Sequence, residues 1–378
     1  MIDFTARRFA LGTGLAAALL GAFPAVATAQ DAGESDNTAY GTTSAEFLLL
    51  GAGARGAALS GAYAALANDV SSLYYNPAGA ALMTRPGVMV STYTYIDGTR
   101  YSWGGFAIPF SGGTRTFGVQ IGTFGFDEQP VYTVEQPNGT GALYSVSETF
   151  VGATFSQNFS DRFSAGITAK GIFDQLGQAE GNAFAVDFGT NFHAQLNNHP
   201  IRFSFVLANL GSNLSYTGDA LNVTVPRDPL PGEDDVPSVP QPGTFRTKDF
   251  PLPTMFRVGL AYDLLAGENN RLTLLGDFNQ PTNNTAGFSF GSEFAVNRLG
   301  SSPFGVALRG SYAYQPANNI ELDDPSFTQL SSEENLQGLA LGGGLGYDTG
   351  GFRLGLDYAY KHMGILEDTH FFSIGLGW

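Results

Sequence analysis

The chain closes on ten residues, Thr369 to Trp378, that alternate without a break. His370, Phe372, Ile374, Leu376 and Trp378 fall on one side of an extended strand. Thr369, Phe371, Ser373, Gly375 and Gly377 fall on the other, which is mostly small or polar. Side chains of a strand point to opposite faces in turn, so this period marks a ribbon with one oily and one wet face. Such a ribbon needs hydrogen-bond partners along both edges. Where the oily face meets lipid, only a closed sheet supplies them.

The same period recurs from Gly87 onward in about fourteen segments. Phe256, Val258, Leu260, Tyr262 and Leu264 oppose Arg257, Gly259, Ala261 and Asp263. Leu354, Leu356, Tyr358 and Tyr360 oppose Arg353, Gly355, Asp357 and Ala359. Phe288, Phe290, Phe294 and Val296 oppose Gly287, Gly291 and Glu293. Charges choose the small-residue face. Every second connection is short, and the others are longer, with acidic stretches at Arg227 to Gly243 and at Asp323, Asp324, Glu333 and Glu334. That asymmetry is expected of an outer-membrane barrel with tight inner turns and longer outer loops. An aromatic residue ending a final strand is the usual close of such barrels. Phe372, Ile374, Leu376 and Trp378 therefore form the candidate membrane-assembly strand. The expected fold is all-β: a transmembrane outer-membrane β-barrel of about 14 antiparallel strands, with a small N-terminal helical hatch.

Composition agrees. Gly contributes 50 residues of 378, Phe 31 and Tyr 16, while the net charge is −16 and Cys is absent. The charge argues against nucleic acid, and the missing thiols exclude a disulfide framework or a Cys nucleophile. Residues 1–29 read as a secretory signal. Arg7 and Arg8 precede an apolar stretch from Leu11 to Phe23, and Ala27-Thr28-Ala29 has the form of a cleavage site. Residues 30–86 are assigned to the N-terminal segment and hatch, and 87–378 to the barrel. The expected location is the outer membrane of a diderm bacterium, with outer-membrane lipid and the barrel assembly machinery as partners.

Phe47 to Met83 does not alternate. It is rich in Ala and broken by Gly51, Gly53, Gly56 and Gly61, so it reads as short helices packed inside the barrel. Gly53-Ala54-Arg55-Gly56, Gly61-Ala62-Tyr63, Ala67-Asn68-Asp69, Ser72, Tyr75 and Asn76-Pro77-Ala78-Gly79 resemble the hatch of FadL-like outer-membrane proteins, most closely the PorV/PorQ family. Phe256 to Tyr262, Leu356 to Tyr360 and the terminal strand extend the resemblance. It implies a fourteen-stranded barrel with Arg55, Asp69, Asn76, Pro77 and Ala78 as hatch residues. It also implies a component of type IX-like secretion with secretion-system partners. The alternative is a FadL-like passive transporter of long-chain fatty acids or other hydrophobic small molecules.

No catalytic set is legible. His193, His199, His362 and His370 lie apart, and no nucleophile motif accompanies them. No enzyme, cofactor or metal is expected. Arg257, Asp263, Glu293, Arg309, Arg353 and Asp357 are expected to line the lumen as a salt-bridge network that fills the barrel and holds the hatch through Arg55 and Asp69; the alternative is a polar constriction for passing solutes. One irregularity stands out. Between Tyr101 and Phe110 the large residues change phase at Gly104-Gly105, and Pro109 follows. A bulge or broken ladder is expected there, opening a gap beside the second strand.

Overall fold

A computed structural model describes residues 41–225, 240–315, 338–364 and 368–378. The leader, most of the Arg227–Gly243 stretch, and Asp323, Asp324, Glu333 and Glu334 lie outside the described residues. Seven strands come first: β1 Gly87–Thr94, β2 Arg100–Phe110, β3 Arg115–Pro130, β4 Leu143–Ser160, β5 Phe163–Leu176, β6 Ala179–Leu196 and β7 His199–Gly211. Three short strands, β8 Tyr216–Gly218, β9 Asn222–Val225 and β10 Gln241–Thr244, belong to the long outer connection. Seven more follow: β11 Met255–Ala266, β12 Asn270–Pro281, β13 Gly287–Val296, β14 Phe304–Tyr314, β15 Leu339–Asp348, β16 Arg353–His362 and β17 Asp368–Gly377. Each pairs antiparallel with its neighbour, β7 meets β11, and β17 returns to β1. The result is a closed barrel of 14 strands, the fold of an outer-membrane barrel.

Closure leaves the barrel no edge, so a wall immersed in lipid keeps its backbone groups paired. The side chains sort by parity. On β17, Thr369, Phe371 and Ser373 are buried, while His370, Phe372 and Ile374 are exposed. On β11, Gly259, Ala261 and Asp263 are buried, while Phe256, Leu260 and Leu264 are exposed. Large apolar side chains such as Val90, Phe117, Ile121, Phe155, Phe188, Phe290 and Leu345 are exposed right around the wall. An apolar surface of that extent has no place in water and fits the hydrocarbon belt of a membrane barrel. No helix among the described residues is long and apolar enough to cross a membrane. Tyr312 and Tyr314 close the outer end of β14, Tyr358 and Tyr360 that of β16, and Trp378 lies at the opposite rim.

Strand lengths differ around the barrel. β13 to β17 have 10 or 11 residues each, about what a tilted strand needs to cross a bilayer. β3, β4 and β6 have 16, 18 and 18 residues and rise above the belt. The outer connection between β5 and β6 is correspondingly short. β5 runs to Leu176 and β6 begins at Ala179, so only Gly177 and Gln178 turn the chain.

The expected gap at the second strand is not formed. β2 pairs with β1 from Thr94–Arg100 to Gly87–Ala107 and with β3 from Arg100–Gly125 to Phe110–Arg115, without a register shift. Tyr101, Trp103, Gly105 and Ala107 are all buried inward positions. The phase of the backbone never changes; only the size of the residues does. Two large rings face inward because the hatch stands opposite them, and further along Phe106, Ile108 and Phe110 face out. Pro109 sits next to the end of the ladder, where a missing N–H is easily tolerated.

Candidate functional site

The hatch fills the bore. Glu46–Leu49 and Pro77–Leu82 form short 3-10 turns, and Ala54–Ala57 and Ser72–Tyr75 single α-helical turns. Ala52, Ala54, Ala58, Leu59, Ala62 and Leu73 are buried. Small side chains let this irregular backbone approach the wall closely, and wall side chains must then satisfy its polar groups.

Asn76 shows how that is done. Its Oδ1 accepts from Ala78 N at 3.1 Å, capping the turn that Pro77 begins. Its Nδ2 donates to Ala64 O at 2.9 Å within the hatch and to Thr190 O of β6 at 3.2 Å. Ser156 Oγ donates to Pro77 O, Ser164 Oγ to Ala78 O and Asn158 Nδ2 to Ala81 O. Three successive strands, β4 to β6, thus grip one turn. The turn fits because Gly166 and Gly189, cross-strand partners, face it. A Cβ on Gly189 would lie 2.2 Å from Asn76 Oδ1, and one on Gly166 2.5 Å from the Pro77 carbonyl carbon.

The opposite wall holds the hatch by charge. Arg55 donates through Nε and Nη2 to the two carboxylate oxygens of Glu293, at 2.8 and 2.9 Å. A third nitrogen, Nη1, reaches Asp69 at 2.8 Å and Tyr63 at 3.1 Å. Glu293, 1% exposed, also accepts from Arg271 and Arg309. Arg309 continues to Asp357 at 2.6 Å. Three guanidinium groups around one carboxylate form a network in which each charge is compensated, the condition on which burying them depends. Burial pushes the half-buried Asp69 carboxyl up. Arg55 and hydrogen bonds from Ser71, Arg55 and Tyr63 outweigh this and hold it below the ordinary carboxylate range.

The remaining lumen residues are placed differently. Arg257 Nε donates to Asn279 at 2.7 Å, and its guanidinium lies 5.9 Å from the Tyr75 ring centre. Asp263 accepts from Arg202 and from Thr273 Oγ1. Arg353 has the inward phase of Asp357 but is exposed at the inner end of β16, so it stands apart from the network the sequence suggested. It is the first residue of β16, directly after the tight turn from β15. Phe372, Ile374 and Trp378 are exposed, and the Trp378 ring stacks on Phe106 with centres 6.3 Å apart.

Sequence reading passed over Arg271, Arg202, Gly166, Gly189 and a second buried ion pair, Lys170 to Asp187 at 2.6 Å. Lys170 also donates to Asn209 Oδ1 at 2.8 Å, where β7 bulges between its pairings with Val186 and Phe188. An inward-facing charge on a lipid-bound strand was the available signal for the first two and the pair. The early-strand interior is otherwise aromatic. The Tyr93 ring lies 4.0 Å from Phe371 and 5.3 Å from Tyr101, and Phe47 of the hatch 6.1 Å from Phe150. Among the described residues no three His, Cys, Asp or Glu side chains are grouped to hold a metal.

A profile described as an uncharacterised protein family, UPF0164, matches residues 21–178. No curated protein sequence matches the chain significantly. Among solved structures, the CymD monoaromatic hydrocarbon channel superposes with a TM-score of 0.53 at 12% identity, over 87% of this chain and 97% of that one. The Ralstonia pickettii toluene transporter TbuX gives 0.49 at 10%, over 88% and 98%. A Pseudomonas aeruginosa FadL homologue gives 0.45 at 9%, over 84% and 95%. At such identities the likeness to CymD speaks for the fold.

Proposed function

We propose that this chain is a passive outer-membrane channel for small hydrophobic compounds. The observation that carries the reading is the plugged bore: the hatch is tied to opposite walls, by ions on one and by hydrogen bonds and glycine contacts on the other. A bore filled in this way is a poor conduit for freely diffusing polar solutes. Its aromatic early-strand face suits an apolar one. The shared fold with a channel for monoaromatic hydrocarbons supports the same reading. It favours the transporter alternative over a PorV/PorQ-type secretion component, and a channel over an enzyme.

On this reading Arg55, Asp69, Asn76, Pro77 and Ala78 seat the hatch. Asp263, Glu293, Arg309 and Asp357, with Arg257, are the polar wall that receives it. Residues 1–29 deliver the chain across the inner membrane, and Phe372 to Trp378 present it to the barrel assembly machinery. The outer membrane of a diderm bacterium supplies the lipid around the belt. A deletion strain tests the function. Slower uptake of an apolar carbon source, with surface proteins intact, is the expected result. Loss of surface proteins with normal uptake would return the secretion reading.

A further inference from the structure

Four neighbouring strands turn a row of polar positions toward the hatch, and the hatch satisfies only part of it. Asn191 of β6, Ser204 of β7, Gly259 of β11 and Asp277 of β12 are successive cross-strand partners. Asn191 and Ser204 are 0% exposed and Asp277 is 2% exposed. Neither polar atom of the Asn191 side chain has a hydrogen-bond partner, nor has Ser204 Oγ or Asp277 Oδ1. Gly259 leaves the space in which two of them approach. A Cβ there would collide with Ser204 Oγ and lie 2.9 Å from Asp277 Oδ1 and 3.1 Å from Ala65 N of the hatch. The other carboxylate oxygen, Asp277 Oδ2, accepts from Ala64 N at 3.1 Å. Asp277 thus grips the hatch with one oxygen and keeps the second free beside Ser204.

Buried polar atoms rarely go unpaired, and a buried carboxylate needs a compensating charge as well. Asp187, Asp263 and Glu293 have theirs in Lys170, in Arg202 and in three guanidinium groups. Among the described residues no basic side chain forms an ion pair with Asp277. Arg257 stands one inward position along β11, where its partner on β12 is Asn279. It spends Nε on Asn279 and lies over the Tyr75 ring. Water in the row would meet the hydrogen bonds and leave the charge. A small cation meets both. Carboxylate, hydroxyl and amide oxygens are the hard ligands such an ion takes, and one negative charge is balanced by a monovalent ion.

We propose that Asn191, Ser204 and Asp277 bind a sodium ion between the hatch and the wall. Asp277 Oδ1, Ser204 Oγ and Asn191 Oδ1 are its ligands. The ion completes a third attachment of the hatch, on the wall between the glycine notch of β5 and β6 and the charge cage built on Glu293. Ala64, whose N–H Asp277 holds, gives its carbonyl to Asn76. Loss of the ion therefore loosens the Asn76 turn first and leaves Arg55 in place. The grip on the hatch depends on sodium whatever the bore conducts, so the site stands apart from the channel reading.

Hydrogen exchange at Ala64 to Ala67 reads the site in the purified full chain in detergent. Sodium chloride is titrated against choline chloride at constant ionic strength. The expected result is a saturable slowing in sodium, about tenfold once sodium reaches roughly ten times its dissociation constant, and none in choline. Ser204→Ala should shift the midpoint to higher sodium, and Asp277→Asn should make exchange independent of it. Identical exchange in sodium and choline would overturn the proposal, with water or a proton satisfying the row instead. An undiminished sodium response in folded Asp277→Asn protein would overturn it by placing the ion elsewhere. Should Asp277→Asn fail to fold, the Ser204→Ala midpoint decides, and a midpoint equal to that of the wild type would overturn the site.

Discussion

Two sides of the barrel interior hold one hatch by different physics. On the β12–β16 side, Arg55 enters a cage of charge built on Glu293, Arg271, Arg309 and Asp357. On the β4–β6 side, Asn76 and Pro77 enter a glycine notch and are gripped by neutral donors. Ionic attraction is strong at low dielectric but tolerant of small displacements. Steric fit against two missing Cβ atoms is short-ranged and unforgiving. The charged side therefore supplies holding strength, and the glycine side fixes where the turn sits. A plug held only by charge would slide, and one held only by shape would be released by a small widening of the wall.

Breaking the charged side should have the largest effect. Glu293→Leu leaves three guanidinium groups around an apolar side chain, at a cost of about 3–5 kcal/mol. Thermal unfolding in detergent should fall accordingly, and hydrogen exchange should rise first around Arg55. A change no larger than that of an exposed substitution would show that Glu293 is not the anchor. Gly189→Ala comes next, at about 1–3 kcal/mol, because the new methyl must displace Asn76 or Pro77. Its exchange signature should centre on Asn76 to Gly79 and spare Arg55. Equal loosening of both ends would mean that the two anchors act as one.

Asn76→Ala should cost about 1–2 kcal/mol through the lost cap, with further loss from the two carbonyls left without their donor. Hatch exchange should rise while the wall strands stay protected. Acid is the mildest perturbation. The folded Asp69 carboxyl lies below its ordinary value, so its contribution is complete above the unfolded value of about 3.9 and is lost as pH falls through the lower, folded one. Hatch exchange, corrected for its intrinsic pH dependence, should thus be level from pH 7 down to about 4 and rise below that. Asp69→Asn should abolish the step. An Asp69→Asn protein with an unchanged step would assign it to another carboxylate.

Much of this architecture is legible in the sequence because a lipid-facing strand must alternate, and alternation is visible one residue at a time. The terminal strand and β11 read directly from their side chains. β2 misleads because residue size, rather than parity, changes at Gly104-Gly105. Tyr101 and Trp103 point inward, and only a hatch on that side explains why rings belong there. Arg55 and Glu293 stand 238 positions apart, and nothing local in either segment announces the other. Gly166 and Gly189 read as ordinary small lumen residues until Pro77 lies against them. The periodic signal reports the strand a residue belongs to; the plug it touches is a long-range fact.

Current through a planar bilayer tests the central claim most directly. A barrel plugged from both sides predicts that purified wild-type protein inserts and carries no steady open-pore current. A large, stable ohmic current from the wild type at neutral pH would contradict it, because the bore would then be open to ions with the hatch in place.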